Sequence, residues 1–463
     1  MPGSQASLHF FLVAYHEERR RLINLAANTT RNVGRDRRVC VVGAGPCGLT
    51  AVKNLLAVGL NNIVCYDDGA AIGGNWVFDE HGASVYDATH LISSKRLSEF
   101  EDYPMPSDYP DYPSHQLVRA YFESYATHFG LLPVIRMETH VGMASLRSDG
   151  CWVVTASDRD GAQEEIFDDL IVCSGHHRDP FIPHVEGTFS GQSLHARDFK
   201  RAEPFRGKRV LVVGGGNSGC DIAVDIGRIA LQTCLSMRRG YHFVPKLMFG
   251  RPSDVLYQKL RRLGFPKSWT RYAAEACVRF NVGPPEKYGL APPVGRLFEM
   301  HPTLNSDILS ALRDGRVFPR AGIERLNGAE VRFSDGRSES FDVIIWATGY
   351  RERFPFLDSS VVDWKPGDQP SLLLKMMHQR IPNLFFIGLF QPAGCIWRLA
   401  DYQARIAGLQ ITGQLQRPID IDARIADQLD SPHWRFDKAQ RHALEVDYHD
   451  FRAELRKALG DVG

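Results

Sequence analysis

Two glycine-rich turns carry the clearest chemistry in this chain: GAGPCG at residues 43–48 and GGGNSG at residues 214–219. Each follows an apolar run, VCVV or VLVV, and opens a helix-compatible stretch. In such a turn the first glycine permits the bend and the second lets backbone N–H groups approach a diphosphate. The third lets the helix pack closely on the strand. Gly43, Gly45 and Gly48 fill these places in the first turn, and Gly214, Gly216 and Gly219 in the second. The helix that follows offers its unpaired N–H groups and positive dipole end to the phosphates. One such string arises by chance. Two in strand–turn–helix context imply two dinucleotides held at once, and hence an electron-transfer enzyme.

The tips of the second strands separate the two ligands. Nineteen residues beyond Gly48 stands Asp67, and nineteen beyond Gly219 stands Arg238. A carboxylate there accepts hydrogen bonds from free ribose hydroxyls and repels a 2′-phosphate; a guanidinium forks onto that phosphate. The first unit is therefore expected to hold FAD and the second NADPH rather than NADH, with Ser236 and Arg239 assisting. The alternative for Arg238 is a solvated surface charge. Disulfide reductases also hold two nucleotides, but they need a redox-active cysteine pair near the flavin. Here the helix after the first turn has only Cys47, and no CxxC or CxxxxC follows Gly73 and Gly74.

The elements that must position these residues form an internal repeat. The first copy runs from RVCVVGAGPCG through NIVCYDD to DDLIVCSG at residues 168–175; the second runs from KRVLVVGGGNSG through TCLSMRR to FDVIIWATGY at residues 341–350. Each copy has a hairpin signal, SDG at 148–150 and at 334–336, before its closing strand. This pattern predicts an α/β fold of two Rossmann-like dinucleotide-binding domains, a two-dinucleotide-binding flavoprotein with a helical insertion. The expected boundaries are an extension at 1–37 and a discontinuous FAD-binding domain at 38–180 and 351–463. The NADPH-binding domain takes 181–350, with the insertion at about 245–302. That insertion, rich in Pro, Arg and aromatics, either shapes a substrate route or is a surface elaboration. The extension is either an amphipathic helix packed on the body or a frayed end.

At 463 residues and 44% hydrophobic, the chain can bury two or three cores. A net charge of +1 gives no field for nucleic acid or an anionic membrane. Nine scattered cysteines without a CxxC read as small core hydrophobes in a reducing compartment rather than as a disulfide or metal framework. No stretch approaches the roughly 18 apolar residues of a membrane helix. The run HFFLVAY lacks both the basic flank and the cleavage site of a signal peptide. A cytoplasmic protein without a membrane anchor is expected. His176 and His177, if on extended backbone, would face opposite ways and share no metal ion.

The remaining motifs resemble the flavin-containing monooxygenases. FSGQSLHARDFK, residues 189–200, fits that family's Phe-x-Gly-x3-His-x3-(Phe/Tyr)-(Lys/Arg) fingerprint at every fixed position. Baeyer–Villiger monooxygenases are similar but carry Trp where Phe199 stands. IGGNW, CSGHH, HPTLNSD, ATGY, FIGLFQPAG, DYQAR and RHALEVDY complete the likeness, which covers about residues 38–460. The resemblance implies that NADPH reduces FAD and that oxygen adds to give a C(4a)-hydroperoxyflavin. Its electrophilic oxygen then passes to a small amine or sulfide.

The resemblance also places Gly74, Trp76 and Gln391 beside the flavin and Asn217 and Ser218 in the NADPH turn. It leaves Gln403 and Arg405 between a supporting and a helix-packing role. One departure stands out: the family's asparagine, in a run like TNxxK, is replaced by Ile92 in HLISSK. Ser93, Ser94 or a water substitutes for it, or hydrogen peroxide leaks. Lys95 matches the family lysine, as a flavin neighbour or as an ordinary exposed lysine. The expected partners are thus a small nucleophile and O2, with a homodimer left open. The competing functions are a Baeyer–Villiger oxygenase, an uncoupled NADPH oxidase and, from another class, a non-catalytic flavin-binding redox sensor.

Overall fold

A computed structural model describes residues 34–79, 84–299, 302–362, 364–365, 367–430 and 444–460. All of the N-terminal extension except residues 34–37 lies outside the described residues.

Two sheets organise the chain, one mixed with a parallel centre and one wholly parallel. The larger has seven strands in the order Leu372–Leu373, Met377–His378, Leu384–Phe386, Asp169–Val172, Val39–Val42, Ile63–Tyr66 and Ile135–Arg136. Its central strands VCVV, IVCY and DLIV are buried at every position, as expected where helices and loops cover both faces. Val42 sits level with both Tyr66 and Val172, so the strands end together beneath the first glycine turn. The second sheet has five parallel strands in the order Gln192–His195, Val343–Trp346, Arg209–Val213, Gln232–Ser236 and Phe318–Arg320. Val213 is level with Ser236 and Trp346, giving the second turn the same setting.

Each SDG signal turns an antiparallel hairpin. One joins His140–Leu146 to Trp152–Asp158, and the other joins Glu330–Phe333 to Ser338–Ser340.

Helix α1 (Pro46–Ala57) follows the first turn and α2 (Asn217–Ile226) the second. The insertion contributes α3 (Ser253–Arg262) and α4 (Lys267–Val282). Helix α5 (Ile396–Ile411) packs along α1, and α6 (Tyr448–Ala458) closes the described chain. The α1–α5 seam is pinned by Asp401, which accepts hydrogen bonds from Thr50 (2.5 Å), Lys53 (2.7 Å) and Asn54 (2.8 Å). A half-buried carboxylate so placed gains donors that offset its desolvation.

Among the described residues, no helix is long and apolar enough to cross a membrane.

Candidate functional site

The outer glycines of both turns are required by the fold. Gly43 has φ +106°, and a Cβ on it would lie 2.6 Å from the Cys173 carbonyl oxygen. A Cβ on Gly48 would lie 1.8 Å from the Gly43 oxygen. In the second turn, Gly214 (φ +119°) would meet Ala347 O at 2.3 Å, and Gly219 would meet Gly214 O at 2.0 Å. The middle glycines are different. Gly45 and Gly216 have φ of −70° and −77°, open to any residue. A Cβ on Gly216 would touch nothing within 4 Å, and one on Gly45 only the Gly74 Cα and N at 3.5 and 3.8 Å. Neither strain nor packing explains them. Space kept clear in front of a helix N-terminus without a side-chain cap fits an arriving diphosphate.

The second-strand tips differ as their residue types require. Asp67 folds back onto the first turn, its Oδ2 accepting from Ala44 N–H (2.6 Å) and its Oδ1 from Gly69 N–H (2.8 Å). Burial raises its pKa, and those two N–H bonds work against the rise. Arg238 is exposed and makes no ion pair among the described residues. Arg239 is half-buried and partnered.

Three of the expected NADPH residues have defined surroundings. Ser236 is buried and donates its hydroxyl to Ala321 O at 2.7 Å, so it braces the tip rather than facing outward. Asn217 Oδ1 accepts from Leu304 N–H at 2.8 Å, while Thr303 donates to Gly215 O at 2.7 Å. The HPTLNSD segment is thus strapped onto the turn, and the Asn217 amide nitrogen is left to donate. Ser218 is exposed in the first turn of α2.

Around the N-terminus of α1 the chain gathers residues far apart in sequence. Gly74 lies so close to the turn that a Cβ on it would be 3.0 Å from the Gly45 Cα. Trp76, half-buried, meets Trp397 edge-on at 5.8 Å. Gly388 abuts Cys47, where a Cβ would lie 2.4 Å from its Sγ. Gln403 explains how that strand end is held: its Oε1 accepts from Gly388 N–H and its Nε2 donates to Leu374 O, both at 2.9 Å. Gln403 is therefore a packing and positioning group. Arg405 is half-buried on the same helix. Beyond Gly388, Gln391 Oε1 lies 3.2 Å from His176 Nε2. His176 and His177 lie in a bend rather than on a strand, so their rings pack at 4.3 Å instead of pointing apart.

The HLISSK segment joins the same cluster. Ser93 Oγ pairs with Ser98 Oγ at 2.7 Å, and Ser98 O accepts from Trp397 Nε1 at 2.5 Å. Ser94 starts the short helix Lys95–Ser98, its N–H donating to Asp254 Oδ2 at 2.7 Å. The Ser94 hydroxyl is buried beside that carboxylate without a well-formed hydrogen bond. Ser93 is thus committed to Ser98, whereas the Ser94 hydroxyl faces the Asp254 carboxylate. Ile92 is half-buried. Lys95 donates to the carbonyls of Pro106, Ser107 and Tyr109, which makes it a loop clamp.

Sequence reasoning missed Asp221, Asp254, Tyr86 and Asn305. Asp221 accepts from Tyr86 OH (2.8 Å) and Asn305 Nδ2 (2.5 Å), tying the loop after residue 84 and the insertion's end to α2. A carboxylate within the otherwise apolar CDIAV stretch was the available signal. Asp254 links α3 to Ser94, and Tyr112 OH donates to Lys246 O at 2.5 Å, so the insertion is fastened to the HLISSK segment and to the loop that follows it. The fingerprint is architectural. His195 accepts from Arg197 N–H through Nδ1 and so donates through Nε2 to Gly349 O at 3.0 Å, while Phe199 packs on Tyr86.

Residues 36–462 match the flavin-binding monooxygenase-like family. Flavin-containing monooxygenase 5 of Mus musculus is 34% identical over 449 residues, covering 92% of this chain and 83% of that protein. Dimethylaniline monooxygenase (N-oxide-forming) 2 of Rattus norvegicus is 34% identical over 450 residues with the same coverage. Among solved structures, the S-allyl-L-cysteine S-oxygenase of Allium sativum superposes with a TM-score of 0.68 at 21% identity, over 92% of this chain and 89% of that one. An open form of cyclohexanone monooxygenase gives 0.69 at 17% identity, over 92% and 98%. These two likenesses are of fold.

Proposed function

The chain belongs to the flavin-binding monooxygenase-like family and is a flavin-dependent monooxygenase using FAD and NADPH, and from that premise we propose how its own residues divide the work. Gly43, Gly45 and Gly48 with the N-terminus of α1 hold the FAD diphosphate. Asp67 holds the ribose, and Gly74, Trp76 and Gln391 border the ring system. Gly214, Gly216, Asn217, Ser218 and Gly219 receive the NADPH diphosphate. Arg238 takes the 2′-phosphate with Arg239 beside it, and Ser236 supports them from behind. The FAD-binding unit is then 38–180 with 351–463, and the NADPH-binding unit is 181–350, carrying the insertion at 245–302.

FAD, once reduced by NADPH, supplies the activation of O2. The chain supplies position and dryness. The Trp76–Trp397 pair and buried Phe122 wall one side. His176 fixes the Gln391 amide, and the buried Ser94 hydroxyl stands where Ile92 cannot donate. The substrates are small amines or sulfides, the chemistry named in the relatives reported above. All nine cysteines are free thiols, which supports a reducing, cytoplasmic setting.

The observation that carries the site assignment is the pair of middle glycines, unexplained by the fold and placed at two helix N-termini. Its test is turnover of FAD-loaded protein with NADPH under labelled O2 across amines and sulfides, with oxygenated products read by mass spectrometry. Steady NADPH and O2 consumption with no labelled product from any substrate would overturn oxygenation and leave an oxidase. That second reading is favoured by Ile92. Ile92→Asn is expected to lower the fraction of NADPH electrons recovered as hydrogen peroxide, and an unchanged fraction removes the argument.

A further inference from the structure

Helices α3 and α6 leave a cleft of about 270 Å³ between them, lined by Gln258, Arg261, Arg262, His449 and Arg452. None of these residues has a role in the site as assigned above. Positive charge around the cleft exceeds negative. Glu101 is shared by Arg452 (2.7 Å) and Arg398 (3.3 Å), and Asp450 by Lys267 and Arg261 (3.6 Å). Asp447 is occupied in capping α6, accepting from the N–H groups of His449 and Asp450. Arg262 is exposed and makes no ion pair among the described residues. Five cations thus face three carboxylates, one of which is already bonded to backbone. Burial lowers the His449 pKa, so its ring enters as a neutral hydrogen-bonding group.

Both walls of the cleft are rooted at the proposed reaction site. Asp254 in the first turn of α3 binds Ser94, and the cleft residues of α3 follow roughly 6–12 Å farther along the helix axis. Helix α6 follows directly on Glu445–Val446, the strand paired with Gln391–Pro392. Residues 258–262 stand roughly one to two turns along α3 from the Ser94 contact, so a molecule held at Ser94 and at these arginines would lie along that helix. The volume suits the end of a small molecule rather than a whole dinucleotide.

We propose that this cleft is a subsite for a substrate carboxylate, so that the enzyme favours amines and sulfides bearing an anionic tail over neutral ones of the same length. This rests on the monooxygenase reading and names its substrate class. The experiment compares kcat/KM for ω-methylthiohexanoate and ω-methylthiohexanol in the FAD-loaded enzyme. The anion is expected to be preferred, and Arg262→Ala should reduce that preference roughly tenfold, as loss of a charge-assisted contact does. Lys259→Ala, removing an equal charge from α3 outside the cleft, should leave the preference intact. Equal kcat/KM for the two sulfides, or a preference untouched by Arg262→Ala, overturns the proposal. Calorimetric titration of oxidised, FAD-loaded protein with hexanoate separates the two readings, because it needs no turnover. Binding that weakens in Arg262→Ala supports the subsite even if neither sulfide is oxygenated, and no binding to the unaltered protein refutes it even if both are.

Discussion

His176 Nε2 lies 3.2 Å from Gln391 Oε1, across 215 residues of sequence, and the ring is buried. Because Gln391 offers an acceptor there, Nε2 carries the proton and the amide –NH2 of Gln391 is turned the other way. Burial lowers the His176 pKa, so the ring stays neutral and the arrangement is not reset near neutral pH. His176→Phe keeps the ring volume but removes the donor. FAD content should be retained while kcat/KM falls about tenfold, the worth of one hydrogen bond. The flavin absorbance band should shift at the same time. A fall in activity with no spectral change would mean His176 merely fills space.

Gly45→Ala and Gly216→Ala separate ligand binding from folding. Both positions have ordinary backbone angles and room for a methyl group. Each variant should keep its thermal midpoint within about 2 °C, since a tolerated surface change shifts stability by only a few tenths of a kcal/mol. Gly45→Ala should lose FAD on gel filtration, and Gly216→Ala should raise KM for NADPH with FAD retained.

Arg238→Ala should raise KM for NADPH by on the order of tenfold or more, the loss of a forked charge-assisted contact, with little effect on NADH. Equal effects on the two coenzymes would detach Arg238 from the 2′-phosphate.

Alkali should destabilise the protein through its cysteines. Burial pushes the thiols of Cys47 and Cys234 up to about 12, and raises those of Cys40, Cys65, Cys173, Cys220 and Cys395 as well. A folded pKa above the unfolded value near 9 means that the native state holds the proton more tightly. That stability is complete below about pH 9 and is lost as pH rises toward 12. The urea midpoint should therefore fall steadily above pH 9. At pH 8 a thiol reagent should reach the partly exposed Cys47, Cys151 and Cys277 first, and the six buried thiols only after unfolding.

What could be read in the sequence was what repeats locally. The two turns, their second-strand tips and the SDG hairpins all have fixed spacing, and each stands where its pattern put it. What could not be read were pairings without period. Asp254 reaches Ser94 across 160 residues, and Asp221 collects Tyr86 and Asn305 from both sides in sequence. No window of sequence contains such a contact; only the packed arrangement of three segments makes it. The same holds for Ser236, whose spacing suggested a ligand contact but whose bond to Ala321 depends on a strand end more than eighty residues later.

Strand Leu384–Phe386 lies against Asp169–Val172 in the larger sheet, and Asn383 Nδ2 seals the join by donating to Asp168 O (2.6 Å) and Gly150 O (2.8 Å). On the ribosome that partner arrives some two hundred residues after residue 172. At ordinary elongation rates the delay is roughly 10–40 s. For that interval Asp169–Val172, entirely apolar apart from Asp169, is an unprotected sheet edge, while the whole five-stranded sheet has already emerged. The order of assembly is therefore the reverse of the order of synthesis: the second dinucleotide unit can close first, and the first must wait for Leu384–Phe386.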